Sequence, residues 1–392
     1  MRNSRSRAAS CFDTMKMNVY ADNAATTKLN MDAFEAMKPF LLEDYANASQ
    51  PYSFSRSAKK ALAEARGVIA RCINAEPEEI FFTSGGTEGD NWVIKASAFG
   101  DLEKRATITS VIEHHALLHS CAAIERLGYP VVYLPVDIHG LVQPDTLQSH
   151  ITDKTRLVSV MMANNEVGTI EPVKELCAIA HKHGALFHTD AVQAVGHIPI
   201  DVKDLGIDFL SASAHKFNGP KGVGFLYIRK GTPILPFADG GAQEQGLRAG
   251  TENVAGIVGM ATALLVNTSA IRANEHHLRA LEHRLESKLQ EAGIHYCRNG
   301  SAHRLPGVMS LSFENANGET LLHRLDLMGI CVSTGSACDS QNTQISHVLA
   351  ALGVNEFLAK GTIRISLGKD NTSEEIDYLA NGLLKILSGI GR

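Results

Sequence analysis

A chain of 392 residues that is 44% hydrophobic can bury a sizeable core, and its length suits one large domain with a smaller companion. A formal net charge of −5 excludes the broad basic field that attracts nucleic acid or an anionic membrane surface. No run reaches the ~18 consecutive apolar residues of a membrane span. The seven cysteines form no Cys-x-x-Cys pair, which argues against zinc or a disulfide framework and for a reducing compartment such as the cytoplasm.

The first residues stand apart. Met1 to Arg7 carries three arginines, three polar residues and no acid. It reads as upstream sequence, with Met15 or Met17 as the working start, or as a short transit peptide rich in Arg and Ser. Residues 1–17 are thus an N-terminal extension expected to lack order, and the folded part begins at Asn18-Val19-Tyr20. Ala58, Ala61, Leu62, Ala65, Val68, Ile69 and Cys72 recur at helical spacing. Strands are predicted at Ile80–Thr83, Ala106–Thr109, Val131–Leu134, Leu157–Met162, Ala185–Thr189, Phe209–Ala212 and Val223–Ile228. Helical patterns at Thr87–Phe99, His115–Arg126 and Val173–His183 lie between several of them. That alternation predicts βαβ units, hence an α/β fold with a mostly parallel, buried sheet. A long charged helical stretch over about residues 257–291 follows. Then come Val308–Phe313, Gly318–Met328, Ile330–Ser333, Thr362–Leu367 and a C-terminal helix. The change of pattern divides the chain into a large domain, residues 18–262, and a small α+β domain, residues 263–392.

Lys216 closes the run Ser-Ala-Ser-Ala-His-Lys, and Asp190 ends the preceding predicted strand in Phe-His-Thr-Asp. A lysine after a small-residue strand, with an acid at the end of the strand before it, suits pyridoxal phosphate. The lysine forms a Schiff base with the aldehyde, and the acid keeps a proton on the ring nitrogen. Gly85-Gly86-Thr87 lies between a strand and a helix, so it is either a plain turn or a phosphate cup at a helix N-terminus. Ser213 and His215 would complete the cup. His114 opens the next helix, as a cap or as a ring stacked on the cofactor face and shuttling protons. Asn165 ends another strand, where open α/β sheets bind ligands, and is either a turn former or a donor to the ring oxygen, as is Gln193. Arg364 interrupts an apolar strand; it faces solvent or aims its fork at a substrate carboxylate. Cys338 lies in the small-residue run Ser-Thr-Gly-Ser-Ala-Cys-Asp-Ser, where Gly335 permits a mobile loop and a thiol can act as nucleophile. Cys72, Cys121, Cys177 and Cys331 read as buried, inert thiols.

Together these residues resemble the cysteine desulfurase family, the NifS/IscS-type branch of fold-type I pyridoxal phosphate enzymes. The blocks that carry the resemblance are Tyr-Ala-Asp-Asn-Ala-Ala-Thr-Thr (20–27), Phe-Thr-Ser-Gly-Gly-Thr-Glu-Gly-Asp-Asn (82–91), Asn-Asn-Glu-Val-Gly-Thr (164–169), His-Thr-Asp-Ala-Val-Gln (188–193), Ser-Ala-His-Lys (213–216), Arg-Ala-Gly-Thr (248–251), Gly-Ser-Ala-Cys (335–338) and Ile-Arg-Ile-Ser-Leu-Gly (363–368). The resemblance implies a seven-stranded sheet in the large domain and a homodimer. It implies Lys216 as Schiff-base lysine and base, Asp190 on the pyridine nitrogen, and His114 stacked on the ring. Asn165 and Gln193 would meet the ring oxygen. Gly86, Thr87, Ser213 and His215 would hold the phosphate, joined by Thr251 from the other subunit. Cys338 would take sulfur from L-cysteine as a persulfide, with L-alanine released, and His114 would accept the thiol proton. The sulfur would pass to an acceptor protein, an iron–sulfur scaffold or a tRNA-thiolation protein. No metal is implied. Two stretches depart from the family pattern: Asn47-Ala48-Ser49-Gln50-Pro51-Tyr52, and the loop after Cys338, which lacks the usual proline before Ser346. A selenocysteine lyase or aminotransferase would share the cofactor set without using Cys338, and a non-enzymatic sulfur carrier would need Cys338 alone.

Overall fold

The computed structural model describes residues 17–101, 103–334 and 345–389. Residues 1–16 and the segment 335–344, with Cys338 in it, lie outside the described residues. The strands are β1 (Val19–Tyr20), β2 (Ile80–Thr83), β3 (Ala106–Ser110), β4 (Val131–Leu134), β5 (Thr155–Ser159), β6 (Leu186–Asp190), β7 (Phe209–Ser213), β8 (Gly224–Ile228), β9 (Tyr296–Asn299), β10 (Val308–Phe313), β11 (Ile330–Cys331) and β12 (Thr362–Ser366).

Seven of them form one sheet in the order β2-β8-β7-β6-β5-β3-β4. Five, β3 to β7, are mutually parallel, while β8 runs antiparallel to β7 and β2. The mostly parallel seven-stranded sheet is the one expected. Most residues of its strands are buried because both faces are covered. Successive residues feed opposite cores: Phe209, Leu157 and Leu226 join Trp92 and Leu117 on one side, while Leu210, Val158 and Phe225 join Leu176 and Phe187 on the other. The expected strand Leu157–Met162 ends earlier, at Ser159. Beyond it the chain still follows β6 through Val160 N–His188 O (3.1 Å) and Met162 N–Asp190 O (2.8 Å).

The C-terminal part is built on the antiparallel sheet β12-β10-β9, covered by the helices Ile271–Glu291 and Ser373–Leu387 around Met309, Leu311, Leu285 and Leu379. The N-terminal strand β1 joins this part, pairing with β11 in parallel, and Val19 and Ala21 enter its core. The stretch read as one helix is two, Val254–Ser269 and Ile271–Glu291, bent by 70°. Thr268 and Ser269 turn their hydroxyls back onto Leu264 and Leu265 carbonyls, which competes with helix continuation. Residue 263 falls inside the first of these helices, whose Ile257, Met260 and Leu264 belong to the large-sheet core. The helix Val254–Ser269 thus packs on the large-sheet core and Ile271–Glu291 on the C-terminal one. Among the described residues no single helix is long and apolar enough to cross a membrane.

Candidate active site

The carboxyl ends of β5, β6 and β7 open into a cavity of about 300 Å³. Gly86, Thr87, His114, Asn165, Asp190, Gln193, Ser213, His215, Lys216 and Arg364 all line it. Thr251 does not: it is exposed and lines a separate cleft with Ser84 and Arg248. Cys338 lies outside the described residues.

Three chemically distinct ends meet in the cavity. At one, the helix Gly86–Phe99 begins, capped by Gly85 at φ 151°. A Cβ on Gly86 would come within 2.4 Å of Val192 Cγ2, so only glycine lets this turn sit against the loop after β6. Its first-turn amides lie beside Ser213 and His215, an anion-binding arrangement. At the second end, Asp190 closes β6, with Oδ1 accepting from Val192 N at 2.9 Å. Burial pushes its pKa up, and His114, the Val192 amide and Lys216 pull it back. At the third, β7 runs into the short turn Ala214–Lys216. Lys216 Nζ donates to Ala24 O (2.5 Å) and Ala25 O (3.0 Å), and Gln193 Nε2 donates to the same Ala24 carbonyl (2.9 Å). A phosphate cup, a buried acid for a ring nitrogen and an amine around one cavity fit pyridoxal phosphate.

The histidines differ in what they can do. His114 caps the helix His115–Glu125, with Nδ1 accepting from Ala116 N at 3.1 Å. Burial lowers its pKa, so the ring is neutral and its proton sits on Nε2, as a donor. His215 is pushed down to about 4, first by burial and then by Lys216, so it too is a neutral hydrogen-bonding group. His347 lines the cavity and lies 4.9 Å from the His115 ring. Its Nε2 lies 3.1 Å from Glu113 O, which only accepts, so that nitrogen carries hydrogen.

Arg364 is not the surface arginine that one reading of the sequence allowed. It is buried on β12, with Nη1 on Asn165 O (2.9 Å) and Nη2 on Asp22 Oδ1 (2.8 Å). Its Nε is buried without a hydrogen-bond partner among the described residues, and the side chain lines the cavity. The turn-forming role fell to Asn164, whose Oδ1 accepts from Glu166 N and Val167 N, while the neighbouring Asn165 lines the cavity. Cys121 and Cys177 are buried, with thiols pushed up to about 12. Cys331 is exposed instead of buried, because side chains alternate along β11 and Ile330 takes the inward face; desolvation, Asp326 and Asp22 still raise its pKa.

Sequence reasoning missed a buried acid group beneath the site. Glu113 lines the cavity; its Oε1 accepts from Ser110 Oγ (2.6 Å) and Met161 N (2.9 Å), and burial pushes its pKa up to about 8. Asp90 is raised well above the usual range by burial, Asp190 and Glu113. His188 bridges Ser159 and Ser211 and is pushed down to about 3. The triplet Glu113-His114-His115 was the available signal. Because folding raises the Glu113 pKa from 4.5, ionisation favours the unfolded chain as pH climbs from there to about 8. Each unit in that window costs up to about 1.4 kcal/mol. Glu113→Gln should therefore reduce the loss of thermal stability of apo-protein between about pH 6 and about pH 9. Parallel melting curves for both proteins across that range would contradict it.

A family model described as class-V aminotransferase matches residues 19–379. The chain belongs to the class-V aminotransferase family. Among class-V relatives, the cysteine desulfurase IscS of Methanosarcina thermophila is 49% identical over 360 residues, covering 92% of this chain and 89% of that protein. The cysteine desulfurase IscS of Dictyoglomus turgidum is 48% identical over 378 residues, 95% of each chain. A solved class-V structure described as a NifS-like protein superposes with a TM-score of 0.89 at 42% identity, covering 95% of this chain and 100% of that one. Class-V aminotransferases of this kind are pyridoxal phosphate enzymes.

Proposed function

We propose that this chain is a cysteine desulfurase that takes the sulfur of L-cysteine onto Cys338, releases L-alanine and passes the sulfur to an acceptor protein. It acts as a homodimer in a reducing compartment such as the cytoplasm. The observation that carries the reading is the meeting of Lys216, Asp190, the Gly86–Thr87 turn and Arg364 in one cavity, in a chain nearly half identical to cysteine desulfurases along most of its length.

Asp190 would hold the cofactor's ring nitrogen, Asn165 and Gln193 its ring oxygen, and His114 its face. Gly86, Thr87, Ser213 and His215 would hold the phosphate, with Thr251 added by the partner subunit. When bound, pyridoxal phosphate supplies the electron sink for charge left on the substrate α-carbon. Arg364, the one arginine among the described residues lining the cavity, would bind the substrate carboxylate. Lys216 takes the α-proton and later returns one. The Cys338 thiolate attacks the substrate sulfur; the sulfur–carbon bond breaks, its electron pair stays with carbon, and a persulfide remains on the protein. His114 is poorly set to take the thiol proton, since its Nδ1 already serves Ala116 and its Nε2 carries hydrogen. His347, nine residues after Cys338 and lining the same cavity, is the second histidine proposed for that proton.

The purified protein should form L-alanine from L-cysteine with no keto acid present. Turnover only when a keto acid is supplied would assign an aminotransferase instead. Arg364→Lys loses the planar fork and should raise the KM for L-cysteine about 10- to 100-fold while the cofactor absorbance is retained. An unchanged KM would remove Arg364 from the carboxylate site.

A further inference from the structure

Thr251 is exposed on its own subunit, and the segment before it is held by two ion pairs that the cavity chemistry does not use. The turn Gln243–Gly246 contains Glu244 (φ 46°, ψ 49°) and Gln245 (φ 58°, ψ 25°), left-handed conformations that non-glycine residues adopt only where surroundings enforce them. The enforcement is visible. Glu244 is 7% exposed, and its carboxylate receives Arg66 Nη1 (2.9 Å), Arg66 Nη2 (2.6 Å) and Phe82 N (2.9 Å). Arg66 also donates to Ile80 O and stacks 4.2 Å from the Phe82 ring. Gln245 Nε2 reaches Glu78 O at 2.9 Å. Four residues on, Arg248 makes two bonds to Glu88 (2.8 and 3.1 Å), the residue after Thr87 in the first turn of the phosphate-facing helix. Thr251 then lies three residues beyond a charge pair fixed to its own subunit's cofactor helix.

We infer that the Arg66–Glu244 and Glu88–Arg248 pairs form a brace that positions Thr251 for the cofactor phosphate of the partner subunit. This rests on the dimeric reading of Thr251 given above. Arg66, Glu244, Glu88 and Arg248 are positioning residues. Without the brace the left-handed turn relaxes and Thr251 loses its fixed place. Glu88 stands beside Thr87, which serves the subunit's own phosphate, while Arg248 leads to Thr251, which serves the partner's. The pair thus ties the two cofactor sites of the dimer to each other.

The test compares cofactor loss from the holoenzyme by absorbance during dialysis, with dimer mass measured by light scattering. Thr251→Ala, Glu244→Gln and the double variant are the proteins to use; Arg66→Met is a second route to the same break. Glu244→Gln and Thr251→Ala should each speed pyridoxal phosphate loss about tenfold, the effect of one lost hydrogen bond to a charged group, with the dimer intact. The double variant should lose it no faster than Thr251→Ala alone, because a positioning residue acts only through the group it positions. If Thr251→Ala changes nothing, the reading of Thr251 as a ligand in the partner's site is wrong. If Thr251→Ala speeds loss while Glu244→Gln and Arg66→Met do not, or if the two effects multiply, the brace is wrong. Dissociation of Glu244→Gln into monomers would also overturn it, making the pair an interface support.

Discussion

Lys216→Ala should abolish L-alanine formation from L-cysteine, by a factor of about 10⁴ or more. Among the described residues lining the cavity Lys216 is the one amine, and in the proposed reading it both tethers the cofactor and moves the α-proton. In the resting protein it is held by the Ala24 and Ala25 carbonyls and faces the same cavity as Asp190. Losing a positioned base alone costs about 10²- to 10⁴-fold, and losing the covalent attachment adds to it. The fold should survive, because Lys216 is at a strand-end turn and is not part of either core. Circular dichroism should match wild type, and borohydride treatment should fix the cofactor to the wild-type protein but not to the variant. Near wild-type alanine production in Lys216→Ala would remove the residue from its role.

Cys338→Ser should separate the two halves of the reaction. A hydroxyl cannot take sulfur as a persulfide, yet the described residues proposed to hold cofactor and cysteine are all retained. The variant should keep its colour and its spectral response to L-cysteine, and lose alanine and sulfide production together. It should gain no sulfur by intact mass. The remaining thiols are internal controls. Cys121 and Cys177 are buried with strongly raised pKa values, and exposed Cys331 is also held in its protonated form. Substituting Cys177 or Cys331 should leave turnover largely intact. Sulfur persisting on Cys338→Ser, or mapping to Cys331 in the wild type, would assign the nucleophile elsewhere.

What the sequence made legible is what local pattern controls. Short apolar runs alternating with helical spacing revealed the large sheet, and a lysine and an acid at successive strand ends located the site. What it hid depends on distant pairing. The partner of β1 is β11, more than 300 residues away in the chain, so the N-terminal strand could not be assigned to the C-terminal core. The 70° bend at Ala270 coincides with side-chain hydroxyls turned onto the preceding helix, within an unbroken helical pattern. The buried acids were hidden because Asp90 and Glu113 look like ordinary helix and turn residues until desolvation raises their pKa values. His114 was visible as a cap and as a candidate cofactor residue; it is the cap and it lines the cavity, and the cap bond is what fixes its proton on Nε2.

One measurement bears most directly on the central claim. A single turnover of holoenzyme with L-cysteine carrying radiolabelled sulfur, stopped before any acceptor or reductant is added, should give alanine and protein-bound label in equal amounts. The label should map to the peptide containing Cys338 and be released by thiol reductant. Alanine without bound label, or label on the protein without alanine, would contradict a cysteine desulfurase that works through Cys338.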